Sequence, residues 1–130
     1  MKVQLSAATV NFALMVAHVY WGAGYTWGPP RFTASGSYQV ALAWLPATSW
    51  GLLFLAGAAC TVAAPWLLRA GSAVLHVLAA APLVAFALAL LAAQVAGYSE
   101  GWGGLLTYLV AALFHGVLVR ARYSPEAGRA

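Results

Sequence analysis

Four long apolar stretches occupy almost all of this 130-residue chain. A helix needs about 20 apolar residues to cross the roughly 30 Å hydrocarbon core of a bilayer, and each stretch meets or nearly meets that length. The stretches cover residues 5–27, 48–68, 71–96 and 102–119. Only 6% of the residues are charged, against about 25% in soluble domains. The sequence therefore predicts an all-α integral membrane protein with four transmembrane helices in a single domain, residues 1–130.

A fifth, shorter apolar segment interrupts the first predicted outer loop at residues 37–45. A glycine and a proline bound this segment, and a serine at its start can cap a helix. Tyr38 and Trp44 can lie at the depth of the lipid headgroups, where amphipathic rings are favoured. We therefore expect a short interfacial helix in this loop. Residues 121–130 are predicted to form a polar tail.

The basic residues are distributed unevenly along the chain. Arg31 alone falls on one side of the predicted spans, and the other side carries Lys2, Arg69, Arg120, Arg122 and Arg129. Short loops rich in Lys and Arg remain in the cytoplasm, so both termini are predicted to be cytoplasmic. The preference for Ala, Gly, Val and Arg is typical of a bacterial or viral gene of high GC content. We therefore expect a multi-pass protein of the bacterial inner membrane.

The first apolar stretch carries polar residues at a spacing of seven. These residues are Gln4, Asn11, His18 and Tyr25. Seven residues are close to two helical turns, so the four side chains share one face of the helix. Polar groups in a membrane helix face water or protein. The polar face of helix one therefore either lines a water-filled path or packs against a neighbouring helix through hydrogen bonds.

All three histidines lie within apolar stretches. His76 and His115 are predicted at a similar depth, some turns from the cytoplasmic face, whereas His18 is expected nearer the outer side and apart from them. A facing histidine pair can ligate haem or a metal ion, but no carboxylate or thiol accompanies this one. Histidines also bridge membrane helices through hydrogen bonds, and they relay protons near neutral pH. No cofactor is therefore predicted.

Small residues recur every four positions in the third apolar stretch. They are Ala81, Ala85, Ala89, Ala93 and Gly97. Such a face allows close approach of another helix, either from the same chain or from a second subunit. We therefore expect the lipid bilayer and either further copies of the chain or other membrane subunits as its surroundings. The net charge of +4 is too small an excess to indicate a nucleic-acid partner.

Catalytic motifs are absent from the sequence. The chain contains one cysteine, no phosphate-binding loop, and no carboxylate within the apolar stretches. The sequence therefore predicts that the protein is not an enzyme.

One segment resembles a known class of membrane protein over about residues 35–57. It contains the motifs SYQV (residues 37–40), LP (residues 45–46) and WGLLFL (residues 50–55). This order is similar to that in small four-helix, holin-like membrane proteins of tailed phages. The resemblance implies a protein that accumulates in the inner membrane, oligomerises and opens lesions during host lysis. It implies no catalytic residues.

Two other functions remain open. The chain is alternatively a non-enzymatic subunit or accessory protein of a larger membrane complex, which would dock through its aromatic outer loop and its alanine-rich faces. A third hypothesis is a small haem- or metal-binding membrane protein that uses His76 and His115 as ligands.

Overall fold

The computed structural model describes residues 6–29, 36–98 and 102–123, and within these ranges every regular element is helical. The elements are α1 (Ala7–Trp27), a 3-10 helix (Gly36–Tyr38), α2 (Gln39–Trp44), α3 (Ala47–Ala63), a second 3-10 helix (Ala64–Trp66), α4 (Arg69–Val95) and α5 (Gly103–Tyr123). Gln4, Lys2, Arg31 and Arg129 lie outside the described residues, as does the part of the predicted tail after Tyr123, whereas residues 121–123 of that tail continue α5.

The helix ends follow from local sequence. Ser6 caps α1 by accepting a hydrogen bond from the Thr9 backbone N–H at 3.1 Å, as expected of an N-cap serine. At Pro65, which has no backbone N–H to donate, α3 gives way to a 3-10 turn. Gly97 has a φ of +78°, and the N–H groups of Gly97 and Tyr98 donate back into the last turn of α4. This is a Schellman motif, which ends a helix where glycine adopts the left-handed conformation.

Three helical segments are long and apolar enough to cross a membrane: Ala47–Trp66, Arg69–Val95 and Gly103–Ala121. The protein is therefore a membrane-embedded helical protein. At 21 residues α1 is also long, but it contains Asn11, His18 and several aromatic residues that make it less apolar than those three segments.

The long helices pack as a bundle in which chain neighbours are also spatial neighbours. Contacts join α1 to α3, α3 to α4, and α4 to α5, while α1 and α5 touch less extensively. The α1–α3 pair is especially close, because a Cβ atom on Gly51 would lie 2.8 Å from the carbonyl oxygen of Gly22. Small residues permit this approach of two membrane helices.

Aromatic rings fill one half of the bundle core. The cluster consists of Trp21, Tyr25, Tyr38, Trp50, Phe54, Phe86 and Tyr108. The short helix α2 is attached to this half, because the Trp50 indole N–H donates to the carbonyl oxygen of Ala41 at 2.8 Å and Ala41 is fully buried. The segment predicted to lie at the interface therefore packs on the bundle.

Candidate functional site: a buried chain of three histidines

The three histidines meet inside the bundle. His18 Nε2 lies 3.1 Å from His115 Nε2, and His76 Nδ1 lies 3.1 Å from His115 Nδ1. The ring centroids of both pairs are 5.3 Å apart. His18 and His115 are wholly buried, and His76 is 2% exposed. Three imidazoles from α1, α4 and α5 therefore form one hydrogen-bonded chain with His115 at its centre.

The prediction that His18 lies apart from the other two histidines is wrong. At 1.5 Å per residue, His18 is about 16 Å from the start of α1, His76 about 11 Å from the start of α4, and His115 about 12 Å from the end of α5. These helix ends lie on the same side of the bundle. The remaining offset of roughly 5 Å along the bundle axis is bridged by the imidazole side chains.

The hydrogen bonds couple the protonation of the three rings. A neutral imidazole has one N–H donor and one acceptor nitrogen, so neutral His115 donates to one neighbour and accepts from the other. The N–H groups of the three rings then all point one way along the row of histidines, or all point the other way. If His115 gains a proton, both of its nitrogens donate, and each neighbour accepts. Passage of a proton along the three rings would require these donor and acceptor roles to reverse at each ring.

Metal binding fits this geometry poorly. The two nitrogens of His115 engage different partners, so one ion cannot be bound by all three rings. Within the described ranges, no group of three or more His, Cys, Asp or Glu side chains is placed to hold a metal ion. Between His76 and His115, the hypothesised haem ligands, the facing Nδ1 atoms are at hydrogen-bond distance. This arrangement leaves no space for an iron centre and its porphyrin between the two rings.

The polar face of α1 is directed at neighbouring helices. Asn11 Nδ2 donates to the carbonyl oxygen of Thr61 at 3.0 Å, and the hydroxyl groups of Tyr25 and Tyr108 are 3.1 Å apart. Gln4, the first member of the predicted stripe, lies outside the described residues. The described polar residues on this face of α1 therefore contact other helices of the same polypeptide.

An aromatic layer separates the histidine chain from the tyrosine pair. His115 and Tyr108 are seven residues apart on α5, which is about 10 Å along the helix. Between these positions, the Trp21 ring lies 6.3 Å from the ring of His18 and 4.6 Å from that of Tyr108. The Phe54 ring lies 6.3 Å and 5.8 Å from the same two rings. The core thus has two polar layers with an apolar layer between them.

A cleft leads into the bundle from the end opposite the aromatic cluster. Its volume is about 420 Å³, and it reaches from Ala7, Pro65 and Ala121 at the helix ends to Asn11 and His76. This cleft, which we call the inner cleft, therefore reaches one member of the histidine chain, His76.

The small-residue ladder of α4 does not form one uniform surface. Ala89 and Ala93 are fully buried in the bundle. Ala81 is exposed and Ala85 is half-buried, and both line a groove of about 470 Å³ between α4 and α5. Gly97 lies beyond the helix in the Schellman motif. Part of the ladder thus packs within the chain.

Tyr108 and Gly57 are site residues that the sequence reasoning missed. The sequence does contain a pattern that points to Tyr108. His18 comes seven residues before Tyr25 in α1, and Tyr108 comes seven residues before His115 in α5. On antiparallel helices these two spacings align histidine with histidine and tyrosine with tyrosine. Gly57 carries no comparable signal, since its role depends on where the His18 ring lies.

Gly57 provides the space that the His18 ring occupies. A Cβ atom at position 57 would lie 2.7 Å from both Cε1 and Nδ1 of His18. We therefore expect Gly57→Ala to lower the free energy of unfolding by about 1–3 kcal/mol, the usual cost of overpacking. Unfolding in mixed detergent micelles measures this change.

Gly116→Ala is the matched control, because a Cβ atom at position 116 meets nothing within 4 Å. Alanine is the better helix former, so this variant is expected to be about 0.5–1 kcal/mol more stable than the parent protein. Equal stability of the two variants would contradict the tight packing of His18 against α3.

No protein-family model, curated protein or solved structure matches this chain.

Proposed function

We propose that this chain is a four-span membrane protein that relays protons along His76, His115 and His18. The observation that carries the proposal is the pair of 3.1 Å nitrogen–nitrogen hydrogen bonds that link three buried imidazoles end to end. An imidazole can both donate and accept a hydrogen bond through its two ring nitrogens. Ionisable residues inside membrane helices commonly mark proton pathways, and here three of them are contiguous.

The fourth span of this proposal is α1. Its 21 residues extend about 31 Å, which matches the hydrocarbon core. Its polar side chains face α3 and α5, whereas Val16 and Val19 are exposed. An apolar outer face with polar groups directed inward is what a lipid-facing helix requires. With Arg69 and Arg120 at the cleft end, the positive-inside rule makes this end cytoplasmic in a bacterial inner membrane.

The proposed path starts in the inner cleft and enters the chain at His76. From there the proton passes through His115 to His18, by exchange of hydrogen-bond donor and acceptor roles. Trp21 and the other rings of the aromatic layer close the path in this conformation. A complete path would require these rings to move apart and connect the histidines to the tyrosine pair in the outer half.

Proton flux into lipid vesicles tests the proposal. The purified protein is reconstituted with an internal pH-sensitive dye, and a potassium gradient with valinomycin sets the membrane potential. We expect protons to follow the potential faster than in vesicles without protein, at external pH values between about 5 and 8. A rate equal to that of empty vesicles throughout this range contradicts the proposal.

The holin-like and accessory-subunit functions rest on the sequence and remain predictions. Vesicles loaded with calcein distinguish a holin from a proton relay, because a lesion releases the dye and a proton relay retains it. In this structure the polar face of α1 is engaged within the chain, so a lesion lined by that face would require the bundle to open.

A further inference from the structure

The groove of about 470 Å³ between α4 and α5, which we call the α4–α5 groove, is apolar apart from the two histidines that line it, His76 and His115. Both helices belong to the segments that are long and apolar enough to cross a membrane, so the groove lies in the hydrocarbon region. Small side chains give the groove its depth, namely Ala80, Ala81, Ala85, Ala112 and Gly116.

The α4–α5 groove has the length and direction of a lipid acyl chain. From His76 to Leu88 it follows α4 for about 18 Å, which is comparable with the roughly 15 Å that one leaflet contributes to the hydrocarbon core. Val77, Val84 and Leu88 also line the groove and are exposed, so it is open to lipid. Because α4 and α5 are both spans, the groove runs across the membrane, parallel to the acyl chains.

Two arginines lie beyond one end of this groove. Arg69 begins α4, Arg120 lies in the last turn of α5, and both are exposed. His76 contacts His115 between these antiparallel helices. Arg69 comes seven residues before His76, and Arg120 comes five residues after His115. The two arginines are therefore at about the same level of the bundle, where the spans reach the membrane interface.

Each arginine is also on the groove side of its helix. Arg69 precedes Ala80 by eleven residues, close to three turns, and Arg120 follows Gly116 by four residues, close to one turn. Both acidic residues of the chain lie outside the described residues, so no described carboxylate neutralises the arginines. The first turn of α4 has no acidic residue and no side-chain cap, and its backbone N–H groups add to the positive potential. This end of the groove is thus complementary to an anion.

We infer that the α4–α5 groove binds an anionic phospholipid, with one acyl chain lying in the groove and the phosphate group held by Arg69 and Arg120. Basic pockets between membrane helices are typical sites for the headgroups of anionic lipids. The bound acyl chain covers the side of the His76–His115 contact that faces the groove. Binding depends on α4 and α5 alone and does not depend on the proposed relay.

Native mass spectrometry of the full chain, released from a neutral detergent, tests this inference. The protein is titrated with dioleoyl phosphatidylglycerol, which is anionic, or with dioleoyl phosphatidylcholine, which has the same acyl chains and no net charge. We expect one phosphatidylglycerol molecule to bind at least about ten-fold more tightly than phosphatidylcholine, because each arginine at an anionic headgroup contributes about a five-fold gain in affinity. Equal affinity for the two lipids overturns the inference.

Four variants locate the lipid. Arg69→Gln and Arg120→Gln are each expected to weaken phosphatidylglycerol binding about five-fold. Ala81→Phe places a ring in the groove without changing the charge and is expected to abolish the preferred site. Ala13→Phe is the matched control, because Ala13 is also exposed but lines a separate groove of about 290 Å³ between α1 and α5. If Ala81→Phe binds the lipid like the parent protein, or if Ala13→Phe loses it equally, the lipid lies elsewhere and the inference is wrong.

The same spectra report other occupants of the groove. Glycerol 3-phosphate, which has no acyl chain, is expected not to displace the lipid, and displacement would show that the arginines bind a free phosphate group instead. A dimer of the parent protein that Ala81→Phe converts to a monomer would show that a second copy fills the groove, which also overturns the inference.

The lipid site and the proton relay fail independently. Preferential lipid binding in a protein without proton flux removes the relay and leaves the lipid site. Proton flux in a protein that binds the two lipids equally removes the lipid site and leaves the relay.

Discussion

Replacement of His115 by glutamine is expected to reduce proton flux in reconstituted vesicles at least about ten-fold, towards the rate of empty vesicles. Of the three imidazole rings, only that of His115 contacts both of the others. Glutamine offers one donor group and one acceptor group at its end, so it retains hydrogen-bonding capacity. Its amide does not exchange these two roles as an imidazole does. Proton transfer therefore stops at position 115 while the cavity remains filled.

Thr61→Val is the matched control for this experiment. Thr61 is fully buried, and its hydroxyl donates to the carbonyl oxygen of Gly57, outside the histidine chain. The two side chains have nearly the same shape, so we expect flux to stay close to that of the parent protein. A folded His115→Gln protein with undiminished flux would show that protons take another route.

Replacement of Phe54 by alanine is expected to lower the free energy of unfolding by about 3–5 kcal/mol, the usual cost of emptying a large aromatic site in a core. The Phe54 side chain is 0% exposed. It lies in contact range of the rings of His18, Trp21, Tyr25, Trp50, Phe86 and Tyr108. The surrounding rings come from four helices, so they cannot all close on the cavity together. Unfolding in mixed micelles measures the loss.

Phe12→Ala provides the comparison, because the Phe12 side chain is 64% exposed. Its truncation creates no core cavity, so its effect is expected to stay within about 1 kcal/mol. Similar losses for the two variants would contradict an aromatic cluster packed around Phe54.

The helical, membrane-embedded character of the chain could be predicted from the sequence and is confirmed. Apolar length alone determines it, because a chain this apolar cannot leave so many side chains in water. The second predicted span covers residues 48–68, whereas α3 ends at Ala63 and a 3-10 turn follows at Pro65, which has no backbone N–H to donate. Four spans remain a proposal, since α1 is less apolar than the other three segments.

The histidine chain could not be assembled from the sequence in the same way. A spacing of seven places Asn11, His18 and Tyr25 on one face of α1, but it does not say which helix lies opposite that face. The meeting of His18 with His115 depends on the rotation and the axial offset of two separate helices. These are set by packing, including the glycine contacts between α1 and α3. The spacing of four residues likewise predicted that Gly97 belongs to the alanine ladder of α4. Gly97 instead has a φ of +78° and follows the end of that helix.

The most direct test of the histidine chain is nitrogen NMR on the full protein in membranes, with all three histidines labelled with nitrogen-15. Couplings transmitted through a hydrogen bond join the two nitrogens that share the proton. We expect His115 Nε2 to couple to His18 Nε2 and His115 Nδ1 to couple to His76 Nδ1, with both correlations lost in His115→Gln. Three imidazoles that show no mutual coupling and exchange freely with water would contradict the buried chain, and with it the proton relay.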